Sequence, residues 1–173
     1  DTFSLDKALN IFPVPDVDVN WIGDNQDSKL IFSNESSGSY IADINFVNVG
    51  LLLNNTSGIS IYYSNISNAF DNGISILNSS DNEIIGNAIY DSNIGVLIDE
   101  GSVSNEVSNN LIYNNSKGIC ILGSDNNTVE GNIIQNNSFG VYSSDSGYEL
   151  NFNGISGNII DLHCCGNKTT DID

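Results

Sequence analysis

The chain has 173 residues, with 22 acidic side chains against four lysines (Lys7, Lys29, Lys117, Lys168), no arginine, and a formal charge of −18. Such a surface has little with which to neutralise phosphates, which argues against nucleic acid or an anionic membrane as partner, and a polyuronate would need a bridging cation. No run of 18 apolar residues exists, so a helical membrane span is excluded, and the length suits one domain with a continuous core. The chain starts at Asp1 without a signal peptide and holds no methionine, which reads as a mature secreted form or an excised domain.

In chain order, Thr2–Phe12 reads as the only helix. Leu5, Ala8, Leu9 and Phe12 fall at i, i+3, i+4 and i+7, with Ser4 or Thr2 as N-cap, and Pro13 and Pro15 stop it. Residues 1–16 are thus expected to form an N-terminal cap. Val17–Ile22 alternates and breaks at Gly23, Asn25–Lys29 is a polar turn, and Leu30–Phe32 is the next strand. Tyr40–Val47 with Leu51–Leu53 and then Ile59–Tyr63 continue the alternation. From Gly73 the pattern becomes regular.

The regular unit is clearest at Asn127–Val141 (NTVEGNIIQNNSFGV). It recurs from Asn82 and Asn105 and, eroded, from Asn153. A glycine that opens an apolar alternation stands at Gly50, Gly73, Gly95, Gly118, Gly140 and Gly166, in steps of 23, 22, 23, 22 and 26. A unit of two or three short strands cannot bury its own apolar face, so it must stack on its neighbours. These residues resemble the repeat of NosD-like proteins and, more widely, the carbohydrate-binding and sugar-hydrolase β-helix superfamily, which also holds pectate lyases and mannuronan epimerases. The resemblance runs from about Val19 to the C-terminus. It implies an all-β fold: a right-handed single-stranded parallel β-helix of about six to seven coils, spanning residues 17–166 with a tail at 167–173, behind a short N-terminal capping helix.

Alternation assigns four inward columns: Ile74, Val96, Ile119, Val141; Ile76, Ile98, Ile121, Ser143; Ile84, Val107, Val129, Ile155; and Ile89, Ile112, Ile134, Ile160. Gly86, Asn109, Gly131 and Gly157 suit a left-handed corner, and Asn87, Asn110, Asn132 and Asn158 a side-chain ladder beside it. Outward strand positions are ordinarily polar. A file of Ala88, Leu111, Ile133 and Ile159 beside Tyr90 and Tyr113, followed by Gln135 and Asp161, therefore marks a possible interface, unless a turn or the tail covers it. Leu97, Cys120 and Tyr142 form a second outward file.

Three cysteines (Cys120, Cys164, Cys165) cannot complete an intrachain disulfide framework; they read as small apolar fillers, with an intermolecular or redox role as the alternative. N-glycosylation acceptors occur at Asn34, Asn54, Asn55, Asn65, Asn78, Asn114, Asn126, Asn136 and Asn167, which points to an extracellular glycoprotein. The resemblance implies no familiar catalytic set. Similar pectate lyases abstract a proton with an arginine beside calcium, and epimerase-like sites combine Asp, His, Tyr and Arg on one outer sheet face. Here arginine is absent, and the only histidine, His163, has too few partners.

The acids Asp81, Asp99, Glu100, Asp125 and Asp145 fall mainly in turns rather than converging as a hydrolase pair. No cofactor is indicated. Calcium remains an option at Asp99–Glu100 with Asp125 or at Asp24 with Asp27, and a soft metal at His163–Cys164–Cys165. The expected function is a non-catalytic extracellular wall: a surface-layer, adhesin-like or filament-forming module. It would bind its own copies through an open C-terminal rung or the outward stripe, or bind other cell-surface proteins. The alternatives are a polysaccharide-binding or polysaccharide-processing domain of a larger secreted enzyme, and a copper-handling periplasmic β-helix.

Overall fold

The computed structural model describes residues 2–24, 27–165 and 168–171. Among them the chain winds about seven times as a right-handed parallel solenoid whose coils each lay strands on three faces. Face 1 carries eight strands: Thr2–Leu5, Ser28–Phe32, Val49–Asn54, Asn72–Leu77, Ile94–Asp99, Lys117–Leu122, Phe139–Ser144 and Ile160–Cys165. Face 2 also carries eight, from Asn10–Ile11 through Glu83–Ile85 and Glu106–Ser108 to Lys168–Asp171. Face 3 has seven, from Val19–Ile22 through Ala88–Tyr90 and Leu111–Tyr113 to Gly154–Ser156. Within a face, strands pair in parallel with their equivalents one coil earlier and one coil later.

The interior is a dry column of branched aliphatics. Ile74, Val96, Ile119 and Val141 stack in register, as do Ile76, Ile98 and Ile121, and all are fully buried. Strand spacing sets these side chains about 4.8 Å apart, and each fully buried one contributes roughly 1.5–3 kcal/mol. Two aromatics, Phe32 and Phe46, fill the N-terminal coils. One glycine file turns into face 1: a Cβ on Gly118 would meet the Gly140 carbonyl at 2.6 Å and Ile134 Cγ2 at 2.7 Å, so no larger residue fits.

The corners hold a second ladder system, made of amides. Asn110 Nδ2 donates to Asn132 Oδ1 at 2.9 Å and to the Ile84 carbonyl at 2.8 Å. Asn110 Oδ1 in turn accepts the Asn87 backbone N–H at 2.8 Å and its Nδ2 at 3.1 Å. Asn82, Asn105 and Asn127 repeat the arrangement five residues earlier, and Asn115, Asn137 and Asn158 five residues later. Each amide thus satisfies backbone groups that a sharp, buried corner would otherwise strand.

Two expectations are corrected. Thr2–Phe12 forms no helix: Thr2–Leu5 pairs with Lys29–Phe32, and Asn10–Ile11 pairs with Tyr40–Ile41. An isolated helix of that length is marginal, whereas the extended form gains a ladder of hydrogen bonds and packs Leu5 and Ile11 against the core. Residues assigned to the cap therefore begin the first coil.

The last coil is also shifted by five residues. Leu150, not Ile155, follows Val129, while Ile155, not Ile160, follows Ile134. Asn153, not Asn158, continues the ladder of Asn87, Asn110 and Asn132. Asp161 stands where the sixth glycine was expected, and Gly166 lies outside the described residues. The physical reason is the spacing of the ladders themselves: a slip of five residues lays one asparagine file onto the next.

Replacing Asn110 by Ala leaves the Ile84 carbonyl and the Asn87 N–H buried without partners. We expect a loss of about 2–4 kcal/mol in urea denaturation, from the cost of orphaned buried polar groups. The exposed Asn109, left-handed at φ 55°, should by contrast tolerate Gly with a change inside about 0.5 kcal/mol.

Candidate functional site

Face 1 presents two outward files, three residues apart on each strand because a glycine and the aliphatic after it both turn inward between them, and parallel register lines each file up along the solenoid axis. One such file runs Leu52, Ser75, Leu97, Cys120, Tyr142, His163; a neighbouring one runs Asn72, Ile94, Lys117, Phe139, Ile160. Where they meet, four chemically capable or aromatic side chains converge. Tyr142 and His163 stack with ring centroids 4.9 Å apart and planes 10° from parallel. Phe139 stands edge-on to both, at 5.7 and 5.9 Å. The Lys117 ammonium lies 5.4 Å from the centre of the Tyr142 ring, within cation–π range.

Cys120 forms the floor of this patch. It is only 2 % exposed although its position faces outward. Burial pushes its thiol up to about 11, with Lys117 drawing it down and Asp99 pushing it further up. The patch offers a proton donor or acceptor on Tyr142, another on His163, and a cation on Lys117 that suits a developing oxyanion.

From the sequence, His163 has too few partners; in the structure two aromatic rings, Tyr142 and Phe139, lie against it. Cys120 and Tyr142 are expected in one file, and the next member of that file is His163. The five-residue slip in the last coil hides it, together with the steps of 25 and 21 residues from Lys117 to Tyr142 to His163.

Face 2 brings together a second set. The Tyr62 hydroxyl donates to Glu83 Oε2, and Ser60 Oγ lies 3.4 Å from the same oxygen. Burial, then Glu83, hold the Tyr62 phenol above its ordinary value. Glu106 follows Glu83 one rung on, and its Oε1 accepts from Ser108 Oγ at 2.6 Å. These two strand-borne glutamates are absent from the sequence-derived set, which holds acids in turns. Of those, Asp81, Glu100, Asp125 and Asp145 are exposed and Asp99 is half-buried. Among the described residues no group of three or more His, Cys, Asp or Glu could hold a metal ion.

On face 3 the structure brings Ala88, Leu111 and Ile133 into one file and Tyr90, Tyr113 and Gln135 into another. Leu111 and Ile133 are 36 % and 51 % exposed, and the Tyr90 and Tyr113 rings stack at 4.8 Å. Ile159 and Asp161 are not part of it: Gly154 and Ser156 take those places, and Ile159 sits 83 % exposed in the following corner. The acceptor asparagines Asn55, Asn78, Asn114, Asn126 and Asn136 occupy exposed left-handed corners, and Asn34 and Asn65 are also exposed. Asn54 is half-buried and accepts from Asn55 Nδ2 at 2.9 Å, and Asn167 lies outside the described residues. Cys164 points inward, its sulfur 2.9 Å from the Tyr148 hydroxyl, which also meets Ser143 Oγ at 3.0 Å.

The family description "Right handed beta helix region" matches residues 26–171. The chain belongs to this family. A comparison with curated protein sequences returns no match. Among solved structures, the periplasmic alginate epimerase AlgG is similar, with 24 % identity, a TM-score of 0.61, and coverage of 76 % of this chain and 36 % of that one. The Azotobacter vinelandii mannuronan C-5 epimerase AlgE6 A-module gives 15 % identity and a TM-score of 0.65 over 90 % of this chain and 57 % of that one. Pectate lyase Pel9A gives 15 % identity and a TM-score of 0.57 over 99 % and 53 %. The chain thus spans between about a third and somewhat over half of the length of these proteins.

These neighbours correct the expectation of a non-catalytic wall. They are two polysaccharide epimerases and a lyase, so the architecture this chain shares is that of enzymes. At such identities the likeness itself establishes the fold. No helix among the described residues is long and apolar enough to cross a membrane.

The Cys120 thiol gives a direct check on the geometry of the patch. Its folded value lies above that of a free thiol, so the neutral form stabilises the fold fully below about pH 8.5, and this contribution is lost as pH rises towards 11. Thermal melts should show stability falling over that window, less steeply in Cys120→Ala. Iodoacetamide at about pH 8, where the ordinary thiol begins to ionise, should leave Cys120 unmodified until guanidinium is added.

Proposed function

We propose that this chain is a polysaccharide-processing β-helix of a secreted protein, acting on a polymer held against the outer wall of face 1. The observation that carries this reading is the Lys117–Tyr142–His163 patch, assembled from three successive coils on one solvent-facing surface. The family membership and the polysaccharide-active neighbours support it.

The reaction class that suits these groups is proton abstraction from a sugar carbon that bears a carboxylate. Lys117 would offset the charge that develops on that carboxylate when the carbon loses its proton. Tyr142 and His163 would serve as the acid and base: the free ring nitrogen of His163 would take the proton from the carbon and the Tyr142 hydroxyl would supply one, from rings held side by side on the same wall. Return of a proton to the opposite face of the carbon epimerises it; departure of the neighbouring glycosidic oxygen, protonated by the acid, cleaves the chain instead. Phe139 packs edge-on against both rings and fixes their orientation.

Incubation with mannuronan, polygalacturonate and mixed uronate polymers, with calcium added to bridge them to the acidic surface, followed by proton NMR, tests the reading. We expect epimerised or unsaturated sugars with the wild-type chain. His163→Ala and Tyr142→Phe should each lower the rate roughly 10²–10⁴-fold, the usual range for a general acid or base. Lys117→Met should lose rate while Lys29→Met does not. Unchanged polymers throughout, or a wild-type rate in His163→Ala, would refute it.

A further inference from the structure

The corner between faces 3 and 1 is regular from Asp91 onward and irregular in the coils before it. From Asp91 to Gly95 the turn takes four steps, but from Asn48 to Gly50 it takes two and from Asn68 to Gly73 five. Gly50 keeps the short turn tight: a Cβ there would meet the Asn72 carbonyl at 2.7 Å. The long turn of the next coil therefore overhangs a recessed one. Ala69 tucks into the amide-ladder position, 3 % exposed, and the extra residue, Phe70, is thrust outward at 59 % exposed.

The result is an open groove of about 320 Å³ lined by Asn48, Asn68, Ala69, Phe70, Asp91 and Asn93. Its walls combine one exposed aromatic ring with three primary amides and a carboxylate. Amides and carboxylates hydrogen-bond hydroxyls, and an aromatic face takes the C–H side of a sugar ring. The long turn ends at Asn72, which lies in the same outward file as Lys117, two coils away and so about 10 Å along the axis. A di- or trisaccharide covers that span.

We infer that this groove is a distal sugar subsite of the face 1 wall, and that it takes a neutral pyranose unit. The inference rests on the polysaccharide reading above and sharpens it. Phe70 stacks on the ring, and Asn48, Asn68 and Asn93 pair with its hydroxyls. Asp91 accepts a hydroxyl but repels a carboxylate, and Asp71 follows Phe70 directly in the chain. The preferred substrate is accordingly a heteropolymer: a uronate at Lys117 and a neutral sugar two or three units along.

A glycan array bearing neutral hexopyranose, all-uronate and mixed oligosaccharides tests this by binding alone. The wild-type chain should bind mixed and neutral probes of three or more units above all-uronate ones of equal length. Phe70→Ala should weaken that binding at least tenfold with an unchanged melting temperature, and Phe70→Trp should keep it. Asp91→Asn should gain affinity for all-uronate probes. Wild-type binding by Phe70→Ala, preference for all-uronate probes, or no binding to any probe would overturn the subsite. Lys29→Met should bind the array as the wild type does. Turnover of uronate polymers by the wild-type chain reports on the catalytic reading separately, and either can fail without the other.

Discussion

A parallel solenoid must turn three corners per coil while its backbone stays buried, and every N–H and C=O at those corners needs a partner. Side-chain amides meet that demand here. An asparagine can accept one N–H from the coil before it and donate to a carbonyl and to the asparagine beyond, so a file of them replaces the hydrogen bonds that a bend interrupts. Once the corners are satisfied, strands as short as three residues suffice, because no strand has to stabilise itself. Exposed surface then becomes free to vary, since neither the aliphatic column nor the amide files depend on what faces outward.

That separation explains the placement of the chemistry. Lys117, Tyr142 and His163 sit on rigid strands, and their mutual distances follow from register rather than from loop conformation. Coil stacking puts a residue from each of three turns within ring-contact distance, so a functional set can be written with one residue per repeat. The strongly acidic exterior leaves Lys117 as a local exception on that patch, and the hydrophobic contact of Phe139 holds the two proton-carrying rings in place.

Much of the fold was legible from periodicity. The inward columns Ile74–Val141 and Ile76–Ile121 follow from alternation alone, and the ladder from Asn87 to Asn132 follows from its 23- and 22-residue steps. The helix assigned to Thr2–Phe12 failed because local apolar spacing cannot reveal a strand partner that comes 27 residues later at Lys29. The last coil failed because Asn153 and Asn158 each match a ladder, and only three-dimensional register decides between them. The patch on face 1 was half visible: Cys120 and Tyr142 were placed together, and the same slip concealed His163. The Phe70 groove was not legible at all, since it depends on two unequal turns lying one above the other.

The equal spacing of the three amide files has a consequence for register. A coil set five residues out of step would still find an asparagine at two of its three bends, so the amide files fix the alignment only in part. What breaks the degeneracy is the interior, where Tyr148 stands in place of a ladder asparagine and joins its hydroxyl to Ser143 and Cys164. The polar trio near the C-terminal end therefore ties the last two coils together through contacts that the amide files do not supply.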